Sequence, residues 1–160
     1  AGEPVVADIF PRSDASGYWG DMTRTFLKGK APKSVMRAYN AVKKASETAM
    51  SMIRAGVIAA DVHIAASETM AGLGFQTGRG RDGMPCGFIH GLGHGVGLEI
   101  HEGPRVSPLN RKPLQSGNVI SVEPGLYYPE WGGIRLEDLV VVTKDGYRNF
   151  NSMEKEFEIP

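Results

Sequence analysis

The chain has 160 residues, with 18 Lys and Arg against 18 Asp and Glu, four His and a single Cys; that length suits one domain able to bury roughly 68–70% of its unfolded surface. Zero net charge excludes the surplus of Lys and Arg with which a nucleic-acid binder meets phosphate, and the lone Cys86 excludes an internal disulfide or a paired-cysteine zinc site. The longest stretch free of Asp, Glu, Lys and Arg, Gly83–Leu98, has 16 residues with six Gly and two His, too short and too glycine-rich for a membrane helix.

No secretory signal is visible, and a single cysteine fits a reducing, cytoplasmic setting. The opening Ala1-Gly2-Glu3-Pro4 lacks an initiator Met and reads as part of something longer. Val5–Phe10 and Tyr18–Phe26 read as strands; the polar cluster Ser13–Gly17 between them predicts a hairpin. Lys33–Arg54 carries Val35, Tyr39, Val42, Ala49 and Ile53 at helical spacing, with Gly56 just past its end. A second helix is expected over Asp61–Leu73, with Val62, Ala65, Ala66 and Met70 inward and Gly74 as terminator. Asn118–Glu123 and Ile134–Thr143 are predicted strands, the latter entering the turn Lys144-Asp145-Gly146. Strands, two helices and more strands make an α+β domain.

Four carboxylates sit where apolar side chains are expected. Asp8 interrupts Val5-Val6-Ala7-Asp8-Ile9-Phe10, and Asp21 follows Tyr18-Trp19-Gly20. Both are equidistant from a turn centred between Asp14 and Ala15, so a regular hairpin would set them face to face. Like charges directly opposite are destabilising, which calls for a positive group between them. Glu123 ends Val119-Ile120-Ser121-Val122. In one continuous strand, Glu137 would share a face with Arg135, Leu139 and Val141. A single such residue is usually an edge charge or half of an ion pair; four together, with Arg135 and Arg24 as the local counter-ions, demand more.

Three of the four histidines lie in His90-Gly91-Leu92-Gly93-His94-Gly95-Val96-Gly97-Leu98-Glu99-Ile100-His101. Glycine on both sides of His94 permits close approach of backbone and ring to another group. His63, on the second helix, reads as a surface or packing residue. Val96 breaks any dinucleotide-binding glycine pattern begun at Gly91, and no serine stands in a nucleophile elbow. One imidazole with four carboxylates suits Mn²⁺, Fe²⁺, Co²⁺ or Zn²⁺. Two ions about 3.5–4 Å apart can share bridging carboxylates and hold a hydroxide.

The spaced set Asp8, Gly20-Asp21-Met22-Thr23-Arg24-Thr25-Phe26, His90-Gly91-Leu92-Gly93-His94, His101-Glu102-Gly103-Pro104, Val122-Glu123-Pro124-Gly125 and Arg135-Leu136-Glu137-Asp138 resembles the pita-bread metallopeptidases. Within them it is similar to the Xaa-Pro aminopeptidase and prolidase branch. The Arg135-Leu136-Glu137-Asp138 run sets it apart from methionine aminopeptidases. The resemblance implies a curved antiparallel sheet with helices on its outer face, of which residues 1–160 would be the C-terminal portion.

It further implies two divalent ions, Mn²⁺ or Co²⁺ ahead of Zn²⁺ or Fe²⁺, held by Asp8, Asp21, His94, Glu123 and Glu137. Asp21 and Glu137 would bridge them. Glu123 would also move the proton; His90 and His101 would hold substrate and steady the tetrahedral intermediate, and Arg135 would support the metal site. The implied activity is hydrolysis of an N-terminal Xaa-Pro bond in a peptide with proline second. Neither nucleic acid nor membrane is an expected partner; a homo-oligomer, a dimer, is. Without the preceding half the isolated chain is expected to associate and to be weakly active or inactive. A methionine aminopeptidase-like enzyme, a metal-free creatinase-like hydrolase and a non-catalytic pita-bread binding module are the alternatives.

Overall fold

The computed structural model describes residues 2–80 and 83–160. In chain order the elements are β1 (Pro4–Ile9), β2 (Met22–Lys28), α1 (Lys33–Met52), α2 (Ala59–Gly72), β3 (Gly78–Arg79), β4 (Pro85–Cys86), β5 (Gly93–Gly95), β6 (Glu102–Val106), β7 (Val119–Val122), β8 (Gly125–Tyr128), β9 (Gly132–Arg135), β10 (Asp138–Val142), β11 (Tyr147–Asn149) and β12 (Glu158–Ile159). The α+β class is as expected. A five-stranded sheet runs β11-β10-β7-β5-β6, and a three-stranded sheet runs β1-β2-β12. The described pairs are antiparallel except β2 with β12, which is parallel.

Both helices form where the apolar period places them. Val35, Tyr39, Val42, Ala49 and Ile53 are buried, and Gly74 beyond α2 takes φ +92°. Ala65 is only half-buried. The helices pack on each other; α1 lies against β7, β8 and β9, and α2 against β6. One apolar core joins helix residues such as Val42 and Met70 to sheet residues such as Ile120 and Leu136.

Two expectations about strands need correction. The β1–β2 ladder pairs Asp8 with Thr23, and beyond it Arg12 bridges to Trp19. The turn is therefore centred one residue later than predicted, and the pairing shifts by two. A shift of two keeps every side chain on its face. Asp8 and Asp21 thus share a face but are offset, which relieves direct opposition.

The second correction concerns Ile134–Thr143, which is not one strand. β9 pairs with β8, whereas β10 pairs with β7. Between them the Leu136 N–H reaches the Pro124 carbonyl at 3.4 Å, and the Glu137 N–H reaches the Thr23 carbonyl at 3.0 Å. Glu137 consequently sits at a crossover between strand pairs, not on a common face with Leu139 and Val141. Behind it, buried Arg24 bonds Asp138 and the carbonyls of Glu137 and Met153, tying the C-terminal segment to the crossover.

The glycines beside His94 are required by contact. A Cβ on Gly93 would lie 1.9 Å from the Ser121 carbonyl oxygen, and one on Gly95 would lie 2.1 Å from that of Gly103. Both obstacles are backbone, so neither can swing aside. We expect Gly93→Ala to destabilise the protein by about 3 kcal/mol or more, through β5 being forced off β7. Denaturant unfolding measures it; a loss under about 1 kcal/mol would show that β5 can move.

Candidate metal centre

Asp21, His94 and Glu137 are all buried, and one ligating atom from each lies within 4.8 Å of the others. Asp21 comes from the approach to β2, His94 from the middle of β5, and Glu137 from the β9–β10 crossover. His94 Nε2 lies 3.1 Å from Glu123 Oε1 and 3.8 Å from Asp21 Oδ2. Asp8 on β1 is exposed, contrary to the expectation of a carboxylate inside an apolar strand. All five, together with His101, line one cleft of about 190 Å³. An adjoining cavity of about 340 Å³ is lined by His90, His101, Arg105, Glu123 and Arg135.

Hydrogen bonds orient His90, His94, Glu123, Glu137 and Asp8. His94 Nδ1 faces the Gly95 carbonyl at 3.1 Å; a carbonyl only accepts, so that nitrogen carries the proton and Nε2 turns to the carboxylates. His90 is held likewise, with Nδ1 on the Gly91 carbonyl at 2.7 Å and Nε2 3.1 Å from the Tyr127 hydroxyl. The His101 ring meets His94 edge-on, with centroids 4.2 Å apart. Of the two predicted counter-ions, Arg135 pairs with Asp8, while Arg24 serves Asp138 outside the cleft.

Several supporting residues escaped the sequence reading. The Thr23 hydroxyl donates to Glu137 Oε2 at 2.6 Å and accepts from Arg135 Nε at 3.1 Å. Ser121 accepts from the His94 N–H at 3.0 Å and donates to Glu123 Oε1 at 3.1 Å. Arg135 also donates to the Tyr127 hydroxyl at 3.2 Å. Thr23 and Ser121 stand two residues from Asp21 and Glu123, on the same face of an extended chain, which was the available signal. Tyr127 and Arg105 offered none.

Residues 1–144 match the profile of metallopeptidase family M24. The chain belongs to that family. It is 37% identical over 155 residues to a protein of Pyrococcus furiosus named Xaa-Pro dipeptidase, covering 97% of this chain and 41% of the relative. The solved structure of an X-Pro aminopeptidase from Thermotoga maritima superposes with a TM-score of 0.86 at 31% identity, over 99% of this chain and 42% of that one. Dipeptidase PepE from Mycobacterium ulcerans superposes at 0.87 and 36% identity, over 98% and 40%. The fold is thus the pita-bread fold of the M24 peptidases. The chain spans about 40% of the length of these relatives.

The M24 donor set fits a divalent ion on electrostatic grounds. Burial lifts Glu137 from 4.5 to about 8, helped by the charges of Glu123 and Asp21 and opposed by the Thr23 hydrogen bond. Burial lifts Asp21 to about 6; His94 opposes the rise, and Asp8 and Glu123 add to it. Burial would raise Glu123 too, but its hydrogen bond and charge interaction with His94 outweigh this and hold it below the ordinary value. His94 moves up, burial being outweighed by the same partnership. Glu137 is thus protonated near neutrality and Asp21 only in mild acid, and a divalent ion beside them would favour the ionised form of both.

Both carboxyls have folded pKa values above their unfolded ones, so each contributes stability that is fully present below the unfolded value. That contribution is lost as pH rises through about 6 for Asp21 and about 8 for Glu137. The upward shift of His94 acts in the same direction. Metal-free protein should therefore lose stability between pH 4.5 and about 8, and Glu137→Gln or a saturating divalent ion should flatten the profile. Melting temperature against pH tests it; a flat profile for the metal-free wild type would refute a buried, protonated Glu137.

Proposed function

We propose that the protein carrying this chain is a divalent-metal-dependent exopeptidase that hydrolyses the N-terminal Xaa-Pro bond, with residues 1–160 as the C-terminal portion of its catalytic domain. The observation that carries this is the grouping of Asp21, His94 and Glu137 within 4.8 Å, in a cleft shared with Asp8 and Glu123. The Pyrococcus furiosus relative, a protein named Xaa-Pro dipeptidase, and the Arg135-Leu136-Glu137-Asp138 run support Xaa-Pro specificity over a methionine aminopeptidase. A purely protein-binding module has no need of two buried carboxylates brought from separate elements to one imidazole.

The residues that would hold two ions are Asp8, Asp21, His94, Glu123 and Glu137, with oxygen and imidazole donors that suit Mn²⁺ or Co²⁺, then Zn²⁺ or Fe²⁺. Such ions supply a water of lowered pKa and polarise a carbonyl. Glu123 stands where the metal cleft meets the adjoining cavity. Its carboxylate, ionised and oriented by Ser121, would take a proton and pass it to the leaving proline nitrogen. His101 lines both spaces and is placed to donate to the developing oxyanion. His90, whose ring nitrogens are bonded to Gly91 and Tyr127, would hold substrate by exchanging its Tyr127 partner. Arg135 fixes Asp8, whose exposed carboxylate is suited to the substrate's free amine. Arg105 supplies the cavity with a cation for the substrate's carboxyl end.

A peptide with proline second is the proposed substrate and the cytoplasm the proposed setting. No helix among the described residues is long and apolar enough to cross a membrane. A homo-oligomer, a dimer, is the proposed assembly.

In the full-length protein Glu123→Gln should keep metal through the remaining ligands while kcat on Xaa-Pro peptides falls by about 10² or more. His94→Ala should instead lose metal. Metal content and kcat, measured side by side, separate the two; wild-type activity in metal-saturated Glu123→Gln would remove Glu123 from the proton path.

A further inference from the structure

His63 was expected to be a surface or packing residue, and its surroundings give it more to do. It lies on α2 and is 8% exposed. Its Nδ1 accepts a hydrogen bond from the Leu92 N–H at 3.1 Å, which leaves the ring proton on Nε2. The carbonyl of the same residue, Leu92, accepts from the Glu123 N–H at 2.8 Å. Leu92 itself is fully buried and stands two residues from both His90 and His94. The His63 ring also stacks on Phe88 at 5.0 Å, and Phe88 meets His90 edge-on at 5.2 Å.

Leu92 lies between Gly91 and Gly93, where the backbone has little stiffness of its own. Its orientation is set from outside, by what its N–H and C=O bond. On one side that is the Glu123 backbone, and on the other it is His63. A residue present only for packing would supply the stack on Phe88, but packing alone does not need an acceptor aimed at a buried N–H.

We infer that His63 is a positioning residue of the candidate metal centre: it anchors the Leu92 peptide to α2 and thereby sets the placement of His90, His94 and Glu123. The inference rests on the metallopeptidase reading above. It predicts that the acceptor atom, and not the ring, is what matters. Asn at this position places Oδ1 where Nδ1 stood, whereas Leu keeps apolar bulk without an acceptor.

The test uses the full-length protein and four variants: His63→Leu, His63→Asn, Met70→Ala and Asp21→Asn. Met70 is fully buried on the same helix and takes part in none of these side-chain hydrogen bonds, so its variant controls for lost packing. Mn²⁺ affinity is read by titration calorimetry, and amide exchange at Leu92 and Glu123 is read in the metal-free protein. His63→Leu should weaken Mn²⁺ binding about ten-fold or more, as loss of a group that orients ligands does, and should speed exchange at both amides. His63→Asn should recover most of both effects. Met70→Ala should lower the melting temperature at least as far as His63→Leu does yet leave Mn²⁺ affinity within about two-fold of wild type, against the ten-fold expected for lost positioning.

Wild-type affinity in His63→Leu, or equal impairment in His63→Asn and His63→Leu, would overturn the inference. So would Met70→Ala weakening Mn²⁺ binding as much as His63→Leu does. Asp21→Asn separates this failure from failure of the wider reading. If Asp21→Asn abolishes Mn²⁺ binding while His63→Leu leaves it intact, the metal centre stands and the role of His63 falls. If Asp21→Asn leaves Mn²⁺ binding intact, the metal assignment falls and takes this inference with it.

Discussion

Burial of like charge at the meeting of three chain segments is the constraint on which the site depends. Asp21, Glu137 and Glu123 are brought together with a single imidazole among them. A low-dielectric site cannot hold that many ionised carboxylates without compensation. The protein answers in two ways. It pairs Glu123 with His94, and it leaves Glu137 and Asp21 with raised pKa values, so that a bound cation would displace their protons into solvent. Arg135 compensates only in part: its guanidinium bonds Asp8, Thr23 and Tyr127 and reaches Glu123 at 3.9 Å.

The rest of the fold serves to bring those groups close. β5 runs between β7 and β6 with so little clearance that glycine is required on either side of His94. The β9–β10 crossover sends Glu137 out of a regular ladder and holds it by a backbone bond to Thr23 and a side-chain bond from the same residue. Behind the crossover, Arg24, Asp138 and Lys155 form a buried ionic group that secures the C-terminal segment. Breaking such a group leaves a charge unpaired, so this segment is structurally bound to the placement of a candidate ligand. The helices contribute from the other side, α1 through its apolar face and α2 through His63 as well.

Much of the candidate site was legible because its residues violate local expectation. A carboxylate inside an apolar run and a histidine between glycines are costly or unusual choices, and each marks a position set by something other than folding. The supporting residues were harder to see. Thr23 and Ser121 are ordinary strand residues whose one signal is a place two residues from Asp21 and Glu123 on the same strand face. Tyr127 enters only through its bonds to His90 and Arg135, and Arg105 only because β6 borders the cavity. His63 reads from sequence as a surface or packing residue, since one histidine on a helix has no local partner that would reveal its acceptor role.

The sequence by itself determined the class of fold, the two helices, the five candidate ligands and the family. These follow from local periodicity, from glycine and turn chemistry, and from the order of unusual residues along the chain. Tertiary structure alone decided the hairpin register, the break before β10 and the exposure of Asp8. It also decided which arginine faces which acid. Register and strand breaks are settled by which distant backbone groups satisfy one another, as when Glu137 bonds to Thr23. Charge pairing is settled by the same long-range placement, and neither is encoded in the spacing of neighbours.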